Sequence, residues 1–479
     1  MKRIVLIGAL LVAGMIGLKA QSDMDAFRFS QIDWSGTARF VGAGGAFGAV
    51  GADYSALATN PASIGVFKKS EISVTPVVIS INDNTTNYNG SLLKSRKTRY
   101  SVTNAGAIFA IPNLTEKFVG LQFGFGYNRI YDFNSLSTAT GMSGGSTMAD
   151  AFLGVANGTN CSNLSGDAML AFNTWVIDTI PGTNDHYWSE FTGRDVRQYK
   201  YRFTKGGIDE MNFSIGANYS DKLFIGATLG VPFLNYEEIS RYSEFDDNEE
   251  VDAFTSFDVN DKLTVSGTGI NFKFGIIYQP VSFMRIGAAI HTPTYYNRMK
   301  DFFYREMTSY YDNSGNSGEF NYENEFRYSL TTPFRVMGNI AFLIQRRAFV
   351  SAEYEWVNYG MASMQSDEYL FMEENANIQK KYGSSHIARI GAEVNVTQHF
   401  LLRAGYNFKS SPYKEQLNNG NVHIASAGFG LRGNHLFFDM AYQCKISKES
   451  YWFYDSEYVN EVNNRNLSHR ILATIGFKF

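Results

Sequence analysis

The sequence predicts an all-β fold, a transmembrane antiparallel β-barrel of about fourteen strands with a plug formed by the N-terminal segment inside its lumen. Three observations support this prediction: long stretches in which apolar residues occupy every second position, connections that alternate between short and long, and a final alternating strand that ends in Phe479. Aromatic residues make up 15% of the chain and charged residues only 18%, which excludes a disordered protein. The formal charge of −4 gives no support for nucleic-acid binding. After residue 20 there is no run of 18 apolar residues, which excludes a helical membrane protein.

The first twenty residues have the organisation of a secretory signal peptide. Lys2 and Arg3 precede the apolar run Ile4–Leu18, and Ala20 fits a cleavage site. The apolar run is short for an anchor that spans a membrane. We therefore expect residues 1–20 to be removed, with 21–69 forming the plug and 70–479 the barrel.

The alternation is clearest in Phe118–Ile130, where Val, Leu, Phe and Tyr alternate with Gly, Gln and Asn. Met211–Tyr219 and Phe400–Lys409 repeat the pattern. One face of such a strand suits lipid, and the other suits a polar or narrow interior. We predict fourteen strands, at residues 70–81, 98–111, 117–130, 208–219, 222–236, 262–280, 282–294, 324–345, 347–360, 384–397, 398–410, 421–433, 434–448 and 466–479.

The connections between these strands also fit a barrel. Short turns, such as residues 220–221 and 433–434, alternate with loops of roughly 10 to 75 residues, as expected for periplasmic turns and outer loops. Four prolines, Pro76, Pro232, Pro293 and Pro333, fall inside or at the edge of predicted strands, where each removes a donor from the sheet. We expect bulges or strand ends at these positions.

The segment Gln21–Lys69 is rich in glycine and has little strand-like alternation. Glycine allows close backbone packing and unusual φ angles, which suits a compact plug. A periplasmic linker is the alternative interpretation. The plug interpretation predicts that the rings of Phe40, Phe47 and Phe67 offer apolar surface to a lipophilic ligand, and that Asn60-Pro61 forms a fixed turn.

Three short motifs in this segment, Gly42–Phe47 (GAGGAF), Ala52-Asp53 and Asn60–Ser63 (NPAS), carry a family resemblance. Together they resemble the N-terminal hatch of the FadL/TodX family of outer-membrane transporters of hydrophobic compounds. The resemblance implies a fourteen-stranded barrel with a plug that gates passive uptake of hydrophobic small molecules, such as long-chain fatty acids. It implies no cofactor. The residues that carry over as hatch residues are Gly44, Gly45, Asn60, Pro61 and Ala62.

Two further groups of residues are candidates for substrate binding. In the long loop Tyr131–Lys205, apolar residues that include Phe172 and Trp175 recur at helical spacing. They predict a helix that either captures lipophilic ligands or simply packs on the barrel rim. Parity along the strands also places ten charged side chains in the lumen: Lys273, Arg285, Arg335, Arg389, Arg403, Lys445, Glu353, Glu355, Glu393 and Asp439.

These interior charges allow two interpretations. They can pair across strands and stiffen the wall, because Arg or Lys facing lipid at mid-depth would cost about 2–4 kcal/mol each. Alternatively, an unpaired base, with Arg389 and Arg403 as our candidates, holds the carboxylate of a fatty acid.

We find little evidence for enzymatic or metal chemistry. Gly141–Gly145 matches G-x-S-x-G but lies in a loop without the strand and helix that a nucleophile elbow requires. The acidic run Glu244–Asp252 lacks the spacing of a calcium-binding EF-hand loop, and a solvated loop is the simpler interpretation. Only two cysteines, Cys161 and Cys444, are present, and their pairing stays open.

We therefore expect a monomeric, non-enzymatic protein of the outer membrane whose partners are a hydrophobic small molecule and outer-membrane lipid, with no nucleic acid, metal or cofactor. Two alternatives stay open: a receptor for another lipophile such as haem, and a barrel enzyme that modifies lipids.

Overall fold

The computed structural model describes residues 23–33, 35–112, 114–249, 251, 254–311, 317–345, 347–414 and 418–479. The predicted signal peptide, residues 1–20, lies outside the described residues. Within the described ranges, no helix is both long and apolar enough to cross a membrane. The described strands form a closed antiparallel barrel whose wall has fourteen strands, which confirms the predicted fold class.

Twenty β-strands are described: β1 (Glu71–Tyr88), β2 (Ser91–Pro112), β3 (Phe118–Asp132), β4 (Ser135–Met142), β5 (Asp178–Thr179), β6 (Tyr187–Trp188), β7 (Arg197–Tyr219), β8 (Leu223–Phe245), β9 (Phe254–Val281), β10 (Met284–His291), β11 (Tyr295–Tyr311), β12 (Ser317–Thr331), β13 (Arg335–Ile344), β14 (Ala348–Asn358), β15 (Ser363–Gln365), β16 (Ser384–Asn395), β17 (Phe400–Lys409), β18 (Val422–Arg432), β19 (Leu436–Tyr451) and β20 (Val462–Lys478). The described α-helices are α1 (Asp23–Ser30), α2 (Ala38–Gly42), α3 (Met148–Ala156), α4 (Gly166–Asn173) and α5 (Met372–Lys381). Short 3₁₀ helices occur at Tyr54–Ala58, Pro61–Val66, Cys161–Asn163 and Tyr359–Met361.

The wall closes where β20 pairs with β1, with Phe477 opposite Ile72. β10 and β11 together make one wall strand, because both pair with β9, and β12 and β13 make the next. Pro293 and Pro333 lie in the matching breaks of these two strands, where Thr294 and Thr332 exchange hydrogen bonds in place of the regular ladder. Both prolines, which have no backbone N–H to donate, therefore lie at the same break in the hydrogen-bond ladder between these two wall strands. The predicted segment 324–345 is therefore one wall strand in two pieces.

The outer surface carries the apolar residues that the alternation assigns to lipid. Phe123, Phe125, Ile475 and Phe477 are exposed, whereas Gln122, which directly precedes Phe123 on β3, is buried toward the lumen. The belt of exposed aromatic and aliphatic side chains is what a barrel needs to lie in a bilayer.

Residues 23–33 and 35–69 occupy the lumen. The helix α2 contacts β17, β18, β19 and β20, while the 3₁₀ helix Pro61–Val66 contacts β3, β7, β8 and β9. We call residues 23–69 the plug. It therefore touches both sides of the barrel wall.

The extracellular end is covered by a cap formed mainly by residues 143–196, between β4 and β7. Its helices α3 and α4 share a hydrophobic cluster with Phe257 of β9, Met307 of β11 and Phe453 from the β19–β20 loop. The described barrel is thus closed at the outer end by its own second long loop.

Candidate functional site

The plug is seated on glycines of the wall. A Cβ atom added to Gly226 would lie 2.2 Å from the Pro61 carbonyl oxygen, and one added to Gly405 would lie 2.1 Å from the Gly44 nitrogen. A Cβ on Gly391 would lie 2.1 Å from the Ala43 oxygen. The same close approach to the plug occurs at Gly106, Gly126, Gly216 and Gly275. The glycines that alternate along the strands therefore make room for plug backbone and side chains.

Polar side chains of the wall bind the plug backbone around much of the barrel. The six wall side chains involved lie on five strands: β3, β10, β14, β18 and β20. The hydrogen-bonded pairs are Thr474 with the Ala38 nitrogen (2.7 Å), Ser426 with the Gly44 nitrogen (3.2 Å), Glu353 with the Gly48 nitrogen (3.0 Å), Arg285 with the Val50 oxygen (2.6 Å), His291 with the Thr59 oxygen (3.0 Å) and Gln122 with the Phe67 oxygen (3.1 Å). Because each such bond stabilises the buried plug by about 1 kcal/mol, displacement of the whole plug is unfavourable.

Asn60 joins the plug to two wall strands. Its Nδ2 atom donates to the Gly48 oxygen at 2.9 Å and lies within hydrogen-bond distance of the Ile276 oxygen and Asn339 Oδ1. Its Oδ1 atom accepts from the Ala62 nitrogen at 3.1 Å and so caps the 3₁₀ helix that begins at Pro61. The extended φ of −135° and ψ of 106° at Asn60 agree with the turn expected before a proline.

Gly44 and Gly45 form a tight turn after α2. Their φ angles are +65° and +75°, in the left-handed region that favours glycine. A Cβ on Gly44 would also lie 2.9 Å from both the Ile390 oxygen and the Tyr406 nitrogen of the wall. This turn thus needs glycine for its backbone conformation and, at Gly44, for its fit against the wall.

The aromatic rings that we expected to face a ligand are instead packed between plug and wall. Phe40 and Phe47 are fully buried in a cluster with Phe349 of β14, and Phe67 is buried against Ile108 of β2. All three rings lie in hydrophobic clusters formed by the plug and the wall. Packing against the wall uses up their surface.

Arg389 and Arg403 lie in the lumen, as parity predicts, but neither guanidinium faces a ligand cavity without a counter-charge. Arg389 pairs with Glu353 and Glu355, and its side chain is only 1% exposed. Arg403 pairs with Glu393 at 2.5 Å and with Asp439 at 2.6 Å, and its side chain is fully buried. The geometry corresponds to the wall-stiffening interpretation, and substrate binding by these two arginines stays a prediction.

The network also reaches the plug. Arg39 of α2 donates to both oxygens of Glu393, each at 2.9 Å, and to the Ala52 oxygen. Arg335 of β13 pairs with Glu355 at 2.6 Å and donates to the Ser30 oxygen at the end of α1. Charged wall side chains therefore help to hold the plug in place.

Above the level of α2, the lumen contains an apolar cluster around α1, which we call the lumen cluster. Phe27 stacks on Tyr382 from the α5 loop, with ring centroids 4.7 Å apart, and Phe29 packs against Phe133 and Tyr236. Wall residues such as Ile130, Ile208, Leu234, Val265, Met299 and Leu330 complete the cluster. The sequence prediction did not include α1 or this cluster, because neither has a periodic signal in eight residues.

Two cavities lie beside the plug and meet at Asp33 and Arg470. The smaller has a volume of about 30 Å³ and is lined by Gly44 and Gly45 of the plug, by Ile387 and Ile424, and by Lys409. The larger has a volume of about 60 Å³ and a polar lining. Because pockets for small molecules usually measure about 300–1,000 Å³, neither of these two cavities admits a bulky ligand in this conformation.

Lys409 and Arg470 are the functional candidates that sequence reasoning missed. No carboxylate of the described residues lies within 4.0 Å of either, although Asp33, which pairs with Lys445, lines the same cavity. Parity could have placed both in the lumen, since Lys409 shares the face of Arg403. It could not show which bases have partners.

The larger cavity adjoins an interruption of the barrel wall. β2 pairs with β3 only from Asn104 to Pro112. In the part of β2 nearer the extracellular end, the backbone pairs with β1 but not with β3. Side chains bridge the gap: Arg99 pairs with Asp132 at 2.5 Å, and Ser95 donates to the Leu136 oxygen. The seam between β2 and β3 is therefore closed by side chains, without a backbone ladder.

In the cap, the predicted loop helix is present but shorter than the apolar spacing suggested. α4 covers Gly166–Asn173, and Trp175 follows it with a φ of +58°, so Trp175 lies outside the helix. Asp167 is paired with Arg305 of β11 at 2.7 Å, which fixes the helix to the wall. Phe172 packs on Tyr187 within the cap, whereas Trp175 is 58% exposed and contacts Tyr311 edge-on.

The described residues contain no group of three His, Cys, Asp or Glu side chains that could hold a metal ion. In the acidic run, Glu244 is buried beneath the cap, where it accepts hydrogen bonds from Tyr242, Gln198 and the Met148 nitrogen. Burial raises its pKa to about 7. Glu250 and Asp252 lie outside the described residues. Neither Cys161 nor Cys444 forms a disulfide.

Comparison with known proteins supports the fold. No family model matches the chain, and no curated protein matches its sequence. Among solved structures, a FadL homologue from Pseudomonas aeruginosa matches with a TM-score of 0.53 at 12% identity, covering 94% of this chain and 99% of that one. The Pseudomonas putida toluene transporter TodX matches with a TM-score of 0.52 at 11% identity, covering 89% and 94%. The Ralstonia pickettii toluene transporter TbuX matches with a TM-score of 0.50 at 14% identity, covering 92% and 98%. The protein therefore has the plugged fourteen-strand barrel fold of these outer-membrane transporters.

Proposed function

We propose that the protein is an outer-membrane channel for passive uptake of hydrophobic small molecules, and that its preferred substrates are long-chain carboxylic acids such as fatty acids. The observation that carries this proposal is the cavity beside the plug, where Lys409 and Arg470 lie next to apolar Ile387 and Ile424 and have no carboxylate of the described residues within 4.0 Å. A carboxylate binds such bases through charge-assisted hydrogen bonds. The adjoining lumen cluster, which includes Ile387, supplies apolar side chains that an alkyl chain would contact once α1 moves.

The substrate that fits this arrangement is amphiphilic. A neutral aromatic hydrocarbon would leave three bases, Lys409, Arg470 and Lys445, to share the single carboxylate of Asp33, in a region where burial makes an uncompensated charge costly. An acid would instead neutralise one of them. We therefore place the carboxylate at Lys409 and Arg470, with the chain directed toward α1.

We further propose that the plug gates passage by a local rearrangement. Gly44 and Gly45 form part of the cavity floor, so a ligand that fills the cavity touches the turn after α2. Six wall side chains bind the plug backbone, and their loss together would be expensive. Movement of the turn and of α1 can enlarge the small cavities while most of those bonds are kept.

The proposal is tested by equilibrium binding of radiolabelled palmitate and of its methyl ester to the purified protein in detergent micelles. The double variant Lys409→Gln/Arg470→Gln should bind palmitate roughly 10–100-fold more weakly, while its affinity for the ester should change little. The exposed base Lys414 supplies a matched control, and Lys414→Gln should bind both ligands as the unmodified protein does.

Two results would contradict the assignment. Equal affinity of the unmodified protein for palmitate and for its methyl ester would show that the carboxylate is not recognised. An equal loss of affinity for palmitate and for its methyl ester in the double variant would show that the bases maintain the shape of the lumen and do not bind the acid.

A further inference from the structure

A row of bases crosses four neighbouring strands on the outer surface of the barrel, near its extracellular end. Lys448 of β19 lies opposite Arg465 of β20, Arg465 lies opposite Thr85 of β1, and Thr85 lies opposite Lys94 of β2. All three bases are exposed. No carboxylate of the described residues lies within 4.0 Å of any of them. We call Lys94, Lys448 and Arg465 the basic row.

Strand parity places the basic row on the lipid-facing side of the wall. Lys448 shares its face with Tyr442, Arg465 with Ile475, and Lys94 with Tyr100, and the three apolar partners are all exposed on the outer surface. The basic row and the apolar belt therefore belong to one continuous outer face.

The height of the basic row corresponds to the headgroup layer of a bilayer. The next outward-facing pair below Lys448 and Arg465 is Ile446 and Leu467, which lie opposite each other. Two residues of a strand tilted by about 40° rise by roughly 5 Å along the membrane normal. On β19 and β20 the bases thus lie one row above an apolar pair, whereas on β1 and β2 that lower row holds the ion pair Asp83–Arg96. A mixed row of this kind suits the level at which polar headgroups meet acyl chains.

Electrostatics leave the basic row without compensation. Like charges on directly opposite residues destabilise a sheet, and Lys448 and Arg465 form such a pair. One row below, Arg96 is already neutralised by Asp83 at 2.6 Å. On β11 and β12, by contrast, the exposed bases Lys300 and Arg327 both pair with Glu325, at 2.9 and 3.4 Å. A bound anion would relieve the repulsion that is specific to the basic row.

We propose that the outer face of β19, β20, β1 and β2 binds the phosphate-bearing headgroup of a lipid in the outer leaflet. Arg465 can hold phosphate oxygens in a bidentate manner, and Lys94 and Lys448 act as flanking point charges. The acyl chains would lie over Ile446, Leu467 and the belt beneath them. A lipid is the occupant, and not a soluble phosphate, because on β19 and β20 the basic row lies directly above the apolar pair Ile446 and Leu467 on the same outer face.

The test measures binding of diphosphoryl lipid A to the purified full-length protein in detergent micelles by native mass spectrometry. We compare the unmodified protein with Lys94→Gln/Lys448→Gln/Arg465→Gln and with the matched control Lys300→Gln/Arg327→Gln. Each base near a lipid surface contributes about fivefold, so the triple variant should bind roughly 100-fold more weakly, while the control should bind as the unmodified protein does. Dephosphorylated lipid A should bind the unmodified protein as weakly as lipid A binds the triple variant.

The proposal is overturned if the triple variant and the unmodified protein bind lipid A equally, or if the dephosphorylated lipid binds as tightly as lipid A. Inorganic phosphate that competes at the same concentration as lipid A would overturn the choice of a lipid. If the triple variant fails to form a heat-modifiable barrel, Lys94→Gln alone decides, with an expected loss of about fivefold. Palmitate uptake should be unchanged in all these variants, so this outcome is independent of the proposed transport function.

Discussion

The fit between wall glycines and the plug leads to a quantitative prediction about leakage. In Gly226→Ala, the new methyl group would lie 2.2 Å from the Pro61 carbonyl oxygen, and in Gly405→Ala it would lie 2.1 Å from the Gly44 nitrogen. Ordinary contact needs at least 3.4 Å, and the obstructing atoms are backbone atoms that cannot rotate away. Either the wall or the plug must therefore move by more than 1 Å.

Overpacking of this kind costs about 1–3 kcal/mol. If this cost falls on the seated plug, the population with a displaced plug should rise by roughly 5- to 150-fold. A fourteen-strand barrel without a seated plug has a lumen between that of small filled barrels and open porins. We therefore expect ion conductance in planar bilayers to rise in both variants, while insertion and heat modifiability stay unchanged.

Gly338→Ala is the matched control. Gly338 lies on a wall strand with no atom near the position of its absent Cβ, so the same chemical change meets open space. The idea that Gly226 and Gly405 seat the plug would be refuted if Gly226→Ala and Gly405→Ala, in correctly inserted barrels, had the same conductance as Gly338→Ala.

Four further predictions concern single sites. Phe479 follows β20, and its backbone nitrogen donates to the Ser70 oxygen at 3.0 Å. Its deletion should impair assembly into the outer membrane, measured as loss of heat-modifiable barrel; normal assembly would argue against its role. Replacement of Asn60-Pro61 by Ala-Ala removes both the cap and the fixed turn, so bilayer leakage and ligand uptake should change in an inserted barrel, and unaltered values would refute a gating role. Arg403→Glu would place three carboxylates together in the lumen, the new one beside Glu393 and Asp439. We expect altered conductance with insertion intact, because the side chain faces the lumen. Failure to insert would show that the charge pair is needed for folding. Burial raises the pKa of Glu244 to about 7, so the cap should be more stable below pH 4.5 than above pH 7 by about 3 kcal/mol. Protease cleavage of the cap across that pH range measures this difference, and Glu244→Gln should remove it. Equal pH dependence in the variant would exclude this carboxyl as the source.

The sequence by itself determined the architecture. Alternation with period two is a local property, and it located the fourteen wall strands, although β11 (Tyr295–Tyr311) and the first part of β12 fell in a predicted loop. The same parity put Arg389 and Arg403 in the lumen, and the Asn60-Pro61 pair predicted the extended turn that the structure contains. Glycines at alternate positions indicated a narrow interior, although the sequence could not show what fills it.

Only the tertiary structure decided which charges are compensated. Arg389 meets Glu353 across 36 residues of chain, and Arg403 meets Asp439 across the same separation, so partner choice depends on strand register and side-chain rotamers. The same long-range geometry leaves no carboxylate of the described residues within 4.0 Å of Lys409 or Arg470 and aligns Lys94, Lys448 and Arg465 on the outer face. A one-dimensional pattern fixes the direction of each side chain. Whether a charge is paired depends on residues that the barrel brings together from distant parts of the chain.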